Sequence, residues 1–204
     1  MIGIIDYGAG NLQSVRNALK NIGVESEFVS NAKEFKNYSG LILPGVGSFG
    51  EAMRQLELKN LVEPIREYCK SSNLMGICLG LQLLFEHSQE SPGVAGIGVF
   101  KGGFKRFDHK VLKVPHVGWN SLDIKKKDGI FKDCKNEEYC YFVHSYYLSE
   151  CDNDIIAATC NYGEEFVAAV EKSNVSACQF HPEKSGEPGL KMLLNFCIKC
   201  GEVF

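Results

Sequence analysis

Residues 73–86, NLMGICLGLQLLFE, decide the fold. Asn73 to Ile77 reads as a short buried strand entered from the polar turn Ser71-Ser72, and Gly80 to Glu86 as the start of a helix. Between them lies Gly76-Ile77-Cys78-Leu79-Gly80, a G-x-C-x-G. This is the pattern of a strand that turns sharply into a helix with a nucleophile at the tip, Cys standing where Ser is more usual. The tip residue occupies strained backbone, and its neighbours must lack Cβ for strand and helix to approach. The turn lifts the sulfur to the C-terminal edge of the sheet, and the N–H groups that open the helix favour an anion there, the thiolate included. A buried cysteine in an ordinary strand-to-helix turn is the plainer reading of the same five residues.

Outward from this turn the N-terminal half alternates strand and helix. Ile2–Asp6 is an apolar strand and Tyr7–Asn11 a glycine turn; Leu12, Val15, Leu19 and Ile22 recur at helical spacing, and Val24–Ser30 reads as a second strand. Such a βαβ start predicts a parallel sheet. Gly8-Ala9-Gly10 resembles a dinucleotide fingerprint, but Gln13 stands where the third glycine belongs, so a nucleotide-binding module is the lesser alternative. Gly40–Leu43 forms a third strand that ends in Pro44-Gly45-Val46-Gly47-Ser48-Phe49-Gly50. Glu51 follows where a phosphate loop needs Lys, which argues against a Walker site. The loop Gly45–Gly47 is better used as backbone N–H groups for half of an oxyanion hole. Helical patterns follow over Phe49–Leu56 and Lys59–Lys70, and Gln89–Gly98 is loop-like.

Beyond Val99 the pattern changes to short strands: Lys105–Phe107, Val111–Val114, Asn120–Ile124, one run over Glu138–Leu148, then Ile155–Cys160, Phe166–Glu171 and Val175–Phe180. An amphipathic helix over Ser185–Cys200 follows. At 204 residues, 45% of them hydrophobic, residues 1–204 suit a single domain. A formal charge of −3 excludes a global field for nucleic acid or membrane, and no apolar run is long enough to span a bilayer. The nine cysteines are odd in number and lack framework spacing, which with the absence of a leader pattern points to a reducing, cytoplasmic setting. Cys197-Ile198-Lys199-Cys200 is a solitary C-x-x-C, and no His, Asp and Glu group has zinc spacing, so neither metal nor cofactor is expected.

An elbow cysteine needs a base. Among five histidines His181 stands out, because Phe180-His181-Pro182-Glu183 ends an apolar strand. Pro182 keeps His181 extended, which places His181 and Glu183 on one side. A carboxylate there can hold the imidazole tautomer and stabilise the imidazolium, so Cys78, His181 and Glu183 read as nucleophile, base and orienter. His109 and His116 read as structural or surface residues.

The segments G-I-C-L-G-L-Q at 76–82, P-G-V-G at 44–47 and H-P-E at 181–183 resemble the triad-type, class I glutamine amidotransferases. With D-Y-G-A-G-N at 6–11, V-P-H-V-G-W-N at 114–120, Y-F-V-H-S-Y-Y at 141–147 and Q-F-H-P-E-K-S-G at 179–186, the likeness narrows to the glutaminase subunits of imidazole glycerol phosphate synthases and covers essentially the whole chain. The resemblance implies a flavodoxin-like α/β fold, a mostly parallel sheet flanked by helices with added antiparallel strands. It implies the reaction L-glutamine + H2O → L-glutamate + NH3, with Cys78 attacking the amide, His181 moving protons and Glu183 orienting it. Leu79 N–H and one N–H of Gly45, Val46 or Gly47 would meet the oxyanion. Gln82 and Glu90 would hold the amino-acid end of the substrate, with the Ser145 and Tyr146 backbone as the opposite wall. The partner implied is a (β/α)8-barrel cyclase subunit in a heterodimer, which uses the ammonia to make imidazole glycerol phosphate and aminoimidazole carboxamide ribotide; Asn11, Trp119, Tyr141 and Lys184 would lie at that interface. A glutaminase serving another acceptor, such as amidino-sugar synthesis, and a thiol hydrolase or peptidase of the same broad fold are the alternatives.

Overall fold

The computed structural model describes residues 1–202. In chain order the elements are β1 (Ile2–Ile5), α1 (Leu12–Asn21), β2 (Ser26–Val29), β3 (Gly40–Gly45), α2 (Phe49–Leu58), α3 (Val62–Tyr68), β4 (Asn73–Cys78) and α4 (Leu79–Leu83). There follow β5 (His87–Ser88), β6 (Gly103–Arg106), β7 (His116–Ser121), β8 (Asp123–Ile124), β9 (Tyr139–His144), β10 (Tyr146–Glu150), β11 (Ile156–Tyr162), β12 (Glu164–Lys172), β13 (Val175–Cys178) and α5 (Gly186–Lys199).

Five parallel strands form the centre in the order β2-β1-β3-β4-β13. The same sheet continues antiparallel through β12, β10 and β6, while β7 and β9 form a separate two-stranded sheet. Central strands buried on both faces need apolar residues at successive positions, as β1 and β3 have. Their side chains divide by parity. Ile42, Met75 and Ile77 pack with Val15 and Leu19 of α1 and Leu193 and Phe196 of α5; Leu41, Leu43 and Leu74 pack with Met53 and Leu56 of α2 and Ile65 of α3. Each large apolar side chain so buried contributes about 1.5–3 kcal/mol. Strand order reverses between β1 and β3, and in open α/β sheets a ligand crevice forms beside such a point, at the carboxyl ends of the strands.

Four local expectations need correction. Val111–Val114 is not a strand: Asp108 accepts from Lys110 N with its side chain and from Val111 and Leu112 N with its carbonyl, folding the segment into a turn with Val111 exposed. The second helical pattern shortens to α3, with Asn60 at positive φ breaking the chain before it and Pro64 tolerated in its first turn. The helix after the elbow ends at Leu83, and the chain turns into β5. The run Glu138–Leu148 is two strands in two sheets, broken at Ser145. Burial alternates through Cys140, Phe142 and His144, then slips phase to Tyr147 and Leu148.

Candidate active site

Parallel register places Gly45, the last residue of β3, beside Cys78, the last residue of β4. Cys78 has φ 55° and ψ −109°, a conformation that costs a non-glycine residue about 1–3 kcal/mol. The glycines around it make this possible. A Cβ on Gly76 would stand 2.9 Å from the Gly80 carbonyl oxygen, and one on Gly80 would run into the Leu43 carbonyl oxygen. Leu79 opens α4 directly after the sulfur, so its N–H lies among the donors that a helix start leaves free.

β13 runs beside β4, and the chain leaving it brings His181 over the elbow. His181 Nδ1 lies 2.8 Å from Glu183 Oε1, with the two side chains only 2% and 1% exposed. Its other nitrogen, Nε2, is buried without a hydrogen-bond partner, and the ring lines the same cavity as Cys78. Burial opposes the charged ring, but the Cys78 sulfur and the Glu183 carboxylate outweigh it and raise the His181 pKa to about 10. The ring thus has the Glu183 carboxylate on its Nδ1 side and shares the cavity with the Cys78 sulfur on its unpartnered Nε2 side.

The cavity has a volume of about 400 Å³, suited to a small amino acid rather than a polymer. Val46, Gly47, Cys78, Leu79, Gln82, Glu90, Ser145, Tyr146 and His181 all line it. Gly45 lies beside it, where a Cβ would meet the Tyr7 hydroxyl, and Glu183 stands behind His181. Glu90 Oε2 accepts from Phe49 N, the first residue of α2, at 2.7 Å, which fixes a carboxylate at the cavity wall. Gln82 is buried and donates to Gln179 Oε1 at 3.2 Å.

The remaining candidates lie outside the cavity. Trp119 pairs in register with Tyr141 on the β7–β9 sheet, their rings 6.1 Å apart, and Lys184 Nζ stands 5.9 Å from the Tyr141 ring centre. Asn11 caps α1, its side chain accepting from Ser14 N at 3.4 Å. His109 is exposed. Cys197 is buried and Cys200 half-buried, and among the described residues no group of three His, Cys, Asp or Glu could hold a metal ion.

Sequence reasoning missed two side chains. Gln179 donates to Cys78 Sγ at 3.7 Å, so an amide N–H supports negative charge on the sulfur. Gln179 stands two residues before His181, and that signal was available; Glu183, however, reaches the ring from a 3-10 turn over Pro182–Lys184 and not by the strand alternation expected. His144 lines the cavity and approaches His116, 3.0 Å between ring nitrogens; a strand spacing gives no hint of such a pair.

The family model for class-I glutamine amidotransferases matches residues 3–200. The chain belongs to the class-I glutamine amidotransferases. It is 52% identical over 203 residues to the imidazole glycerol phosphate synthase subunit HisH of Caldanaerobacter subterraneus subsp. tengcongensis, covering 98% of this chain and all of that one. It is 44% identical to the chloroplastic imidazole glycerol phosphate synthase hisHF of Arabidopsis thaliana, covering 96% of this chain but 34% of the longer protein. A crystal structure of a glutamine amidotransferase superposes with a TM-score of 0.78 at 19% identity, over 98% of this chain and 99% of the other. The PurLQS structure from Thermotoga maritima gives a TM-score of 0.77 at 20% identity, over 97% of each chain. At those identities the two structures establish the fold, which is the flavodoxin-like amidotransferase sheet expected. Among the described residues no helix is long and apolar enough to cross a membrane.

Proposed function

We propose that this chain is the glutaminase subunit of an imidazole glycerol phosphate synthase, in histidine biosynthesis, and that it hydrolyses L-glutamine through Cys78, His181 and Glu183. Cys78 and His181 lining one small cavity, with Glu183 on the far nitrogen of the ring, carry the reading. Glutamine enters with its amide toward Cys78. Its α-ammonium meets Glu90 and Gln82, and its carboxylate end lies against the Ser145–Tyr146 backbone. Cys78 attacks the amide carbon, and the oxyanion takes the Leu79 N–H and one N–H from Gly45–Gly47. His181 gives its proton to the leaving ammonia, then draws a proton from the water that cleaves the thioester, while Glu183 keeps the ring oriented.

Ammonia released into neutral water becomes ammonium, which is not a nucleophile, so the product must pass to an acceptor under cover. The acceptor is the cyclase subunit, which docks on the β7–β9 sheet. One face of this sheet presents Val117, Trp119, Tyr139 and Val143 as exposed apolar residues, with Tyr141 between them and Trp119 55% exposed. Aromatic residues next to a cation are favoured anchors at interfaces. The face also adjoins the chemistry: His181 N donates to the Tyr141 carbonyl at 2.9 Å, and Ser185 Oγ bridges Tyr141 N and the His181 carbonyl.

A synthase assay with the cyclase subunit and its nucleotide tests the reading. Cys78→Ala should abolish glutamine-dependent synthesis while ammonium salts still support it. Glutamine-dependent turnover surviving in Cys78→Ala would remove the thiol from the mechanism.

A further inference from the structure

The chain crosses from the small sheet to the large one in a single residue, Ser145, between β9 and β10. Backbone carbonyls at such a crossing lose their ladder partners and must find others. The Ser145 carbonyl is taken by Phe107 N–H at 3.1 Å. The Tyr146 carbonyl is taken by a side chain, with His144 Nδ1 2.8 Å away.

That contact sets the protons of a whole series. A carbonyl only accepts, so His144 Nδ1 carries the proton. A neutral ring has one, so His144 Nε2 accepts, and His116 Nδ1, 3.0 Å away, is the donor. His116 Nε2 is then an acceptor, and Asn120 Nδ2 lies 3.5 Å from it. Both rings are buried against Phe107, Phe142 and Phe166, with Tyr162 stacked on His116 at 4.0 Å. Burial lowers the pKa of His116 to about 4 and that of His144 to about 3, the latter with help from neighbouring His116 and His181 and against the Tyr146 carbonyl.

We propose that His144, supported by His116, is a positioning residue for the substrate: it turns the Tyr146 carbonyl inward and so holds the Ser145–Tyr146 wall in the shape that accepts the carboxylate end of glutamine. Loose carbonyls facing the cavity would repel a carboxylate, and this ring removes one of them. The inference rests on the glutaminase reading for the identity of the ligand, but the tautomer it requires does not.

The first test is spectroscopic. Long-range 1H–15N correlations on the full chain at pH 7 should show His116 and His144 both neutral and both protonated at Nδ1. A proton on His144 Nε2 overturns the proposal, whether or not any variant folds. The second test is kinetic, in the complete synthase. His144→Phe, which keeps a ring but has no donor, should raise KM for glutamine about tenfold with kcat within about threefold. His144→Asn, whose amide N–H reaches the place of Nδ1, should restore KM to within about threefold. A native KM in His144→Phe, or a loss confined to kcat, overturns the proposal. Wild-type protein inactive on glutamine would instead sink the glutaminase reading, leaving the tautomer result to decide the structural half.

Discussion

Cys78 stands apart from the other eight cysteines. Burial, as the first cause, raises the pKa of Cys69, Cys134, Cys140, Cys151, Cys160, Cys178, Cys197 and Cys200. Cys78 alone shares a cavity with the His181 ring, takes an amide donor from Gln179 and stands at a helix start. The shape of the elbow is as necessary as the sulfur. Gly80→Ala should destabilise the fold by about 3 kcal/mol or more, because its Cβ meets backbone that cannot yield; thermal or denaturant unfolding measures this. Glu183→Gln should lower kcat by about 10²-fold or more. It should also shift the alkaline limb of the pH–rate profile. The carboxylate helps hold the His181 proton up to about pH 10, so a neutral amide in its place moves that limb to lower pH. An unmoved limb would mean that the carboxylate does not act on the ring.

At the scale of elements, hydrophobic alternation reports most of the sheet but not where a strand changes partners. The βαβ start, the elbow strand and α5 were legible because each buries a regular apolar stripe. The β9–β10 break was not, since Tyr, Phe and Val run through it and only the phase of burial slips. The elbow at Cys78 was legible through glycine spacing and the extended backbone of His181 through Pro182, but Glu183 meets the ring through a turn over Pro182–Lys184 that strand alternation does not foresee. His144 was not legible, because its partner arrives from β7, 28 residues away. This histidine pair has a measurable consequence for stability. Both rings have folded pKa values below the unfolded value of about 6.5, so the unfolded chain binds protons first as pH falls. Their contribution is complete above about pH 6.5 and is lost as pH falls toward 4. Melting temperature should therefore drop between pH 7 and 5, and less steeply in a His116→Phe, His144→Phe variant than in wild type.

For the whole molecule, the exposed β7–β9 face is linked to the site through Tyr141. Tyr141 offers an aromatic surface on one side and a backbone acceptor for His181 on the other, so an object docked on the face presses on the strand that holds the base. Trp119→Ala should leave unfolding free energy within about 0.5 kcal/mol, since the indole is exposed, yet weaken binding of the cyclase by about 2 kcal/mol. Calorimetric titration and thermal melts on the same samples separate the two. Equal losses in both would make Trp119 a core residue rather than an anchor.

The most direct measurement is to treat the synthase with a diazoketone analogue of glutamine, which alkylates the thiol that attacks the amide, and to map the adduct by mass spectrometry. One adduct on Cys78 is predicted, prevented by excess glutamine and absent from Cys78→Ser. Alkylation spread over several cysteines without protection by glutamine, or an unmodified Cys78, would contradict the account.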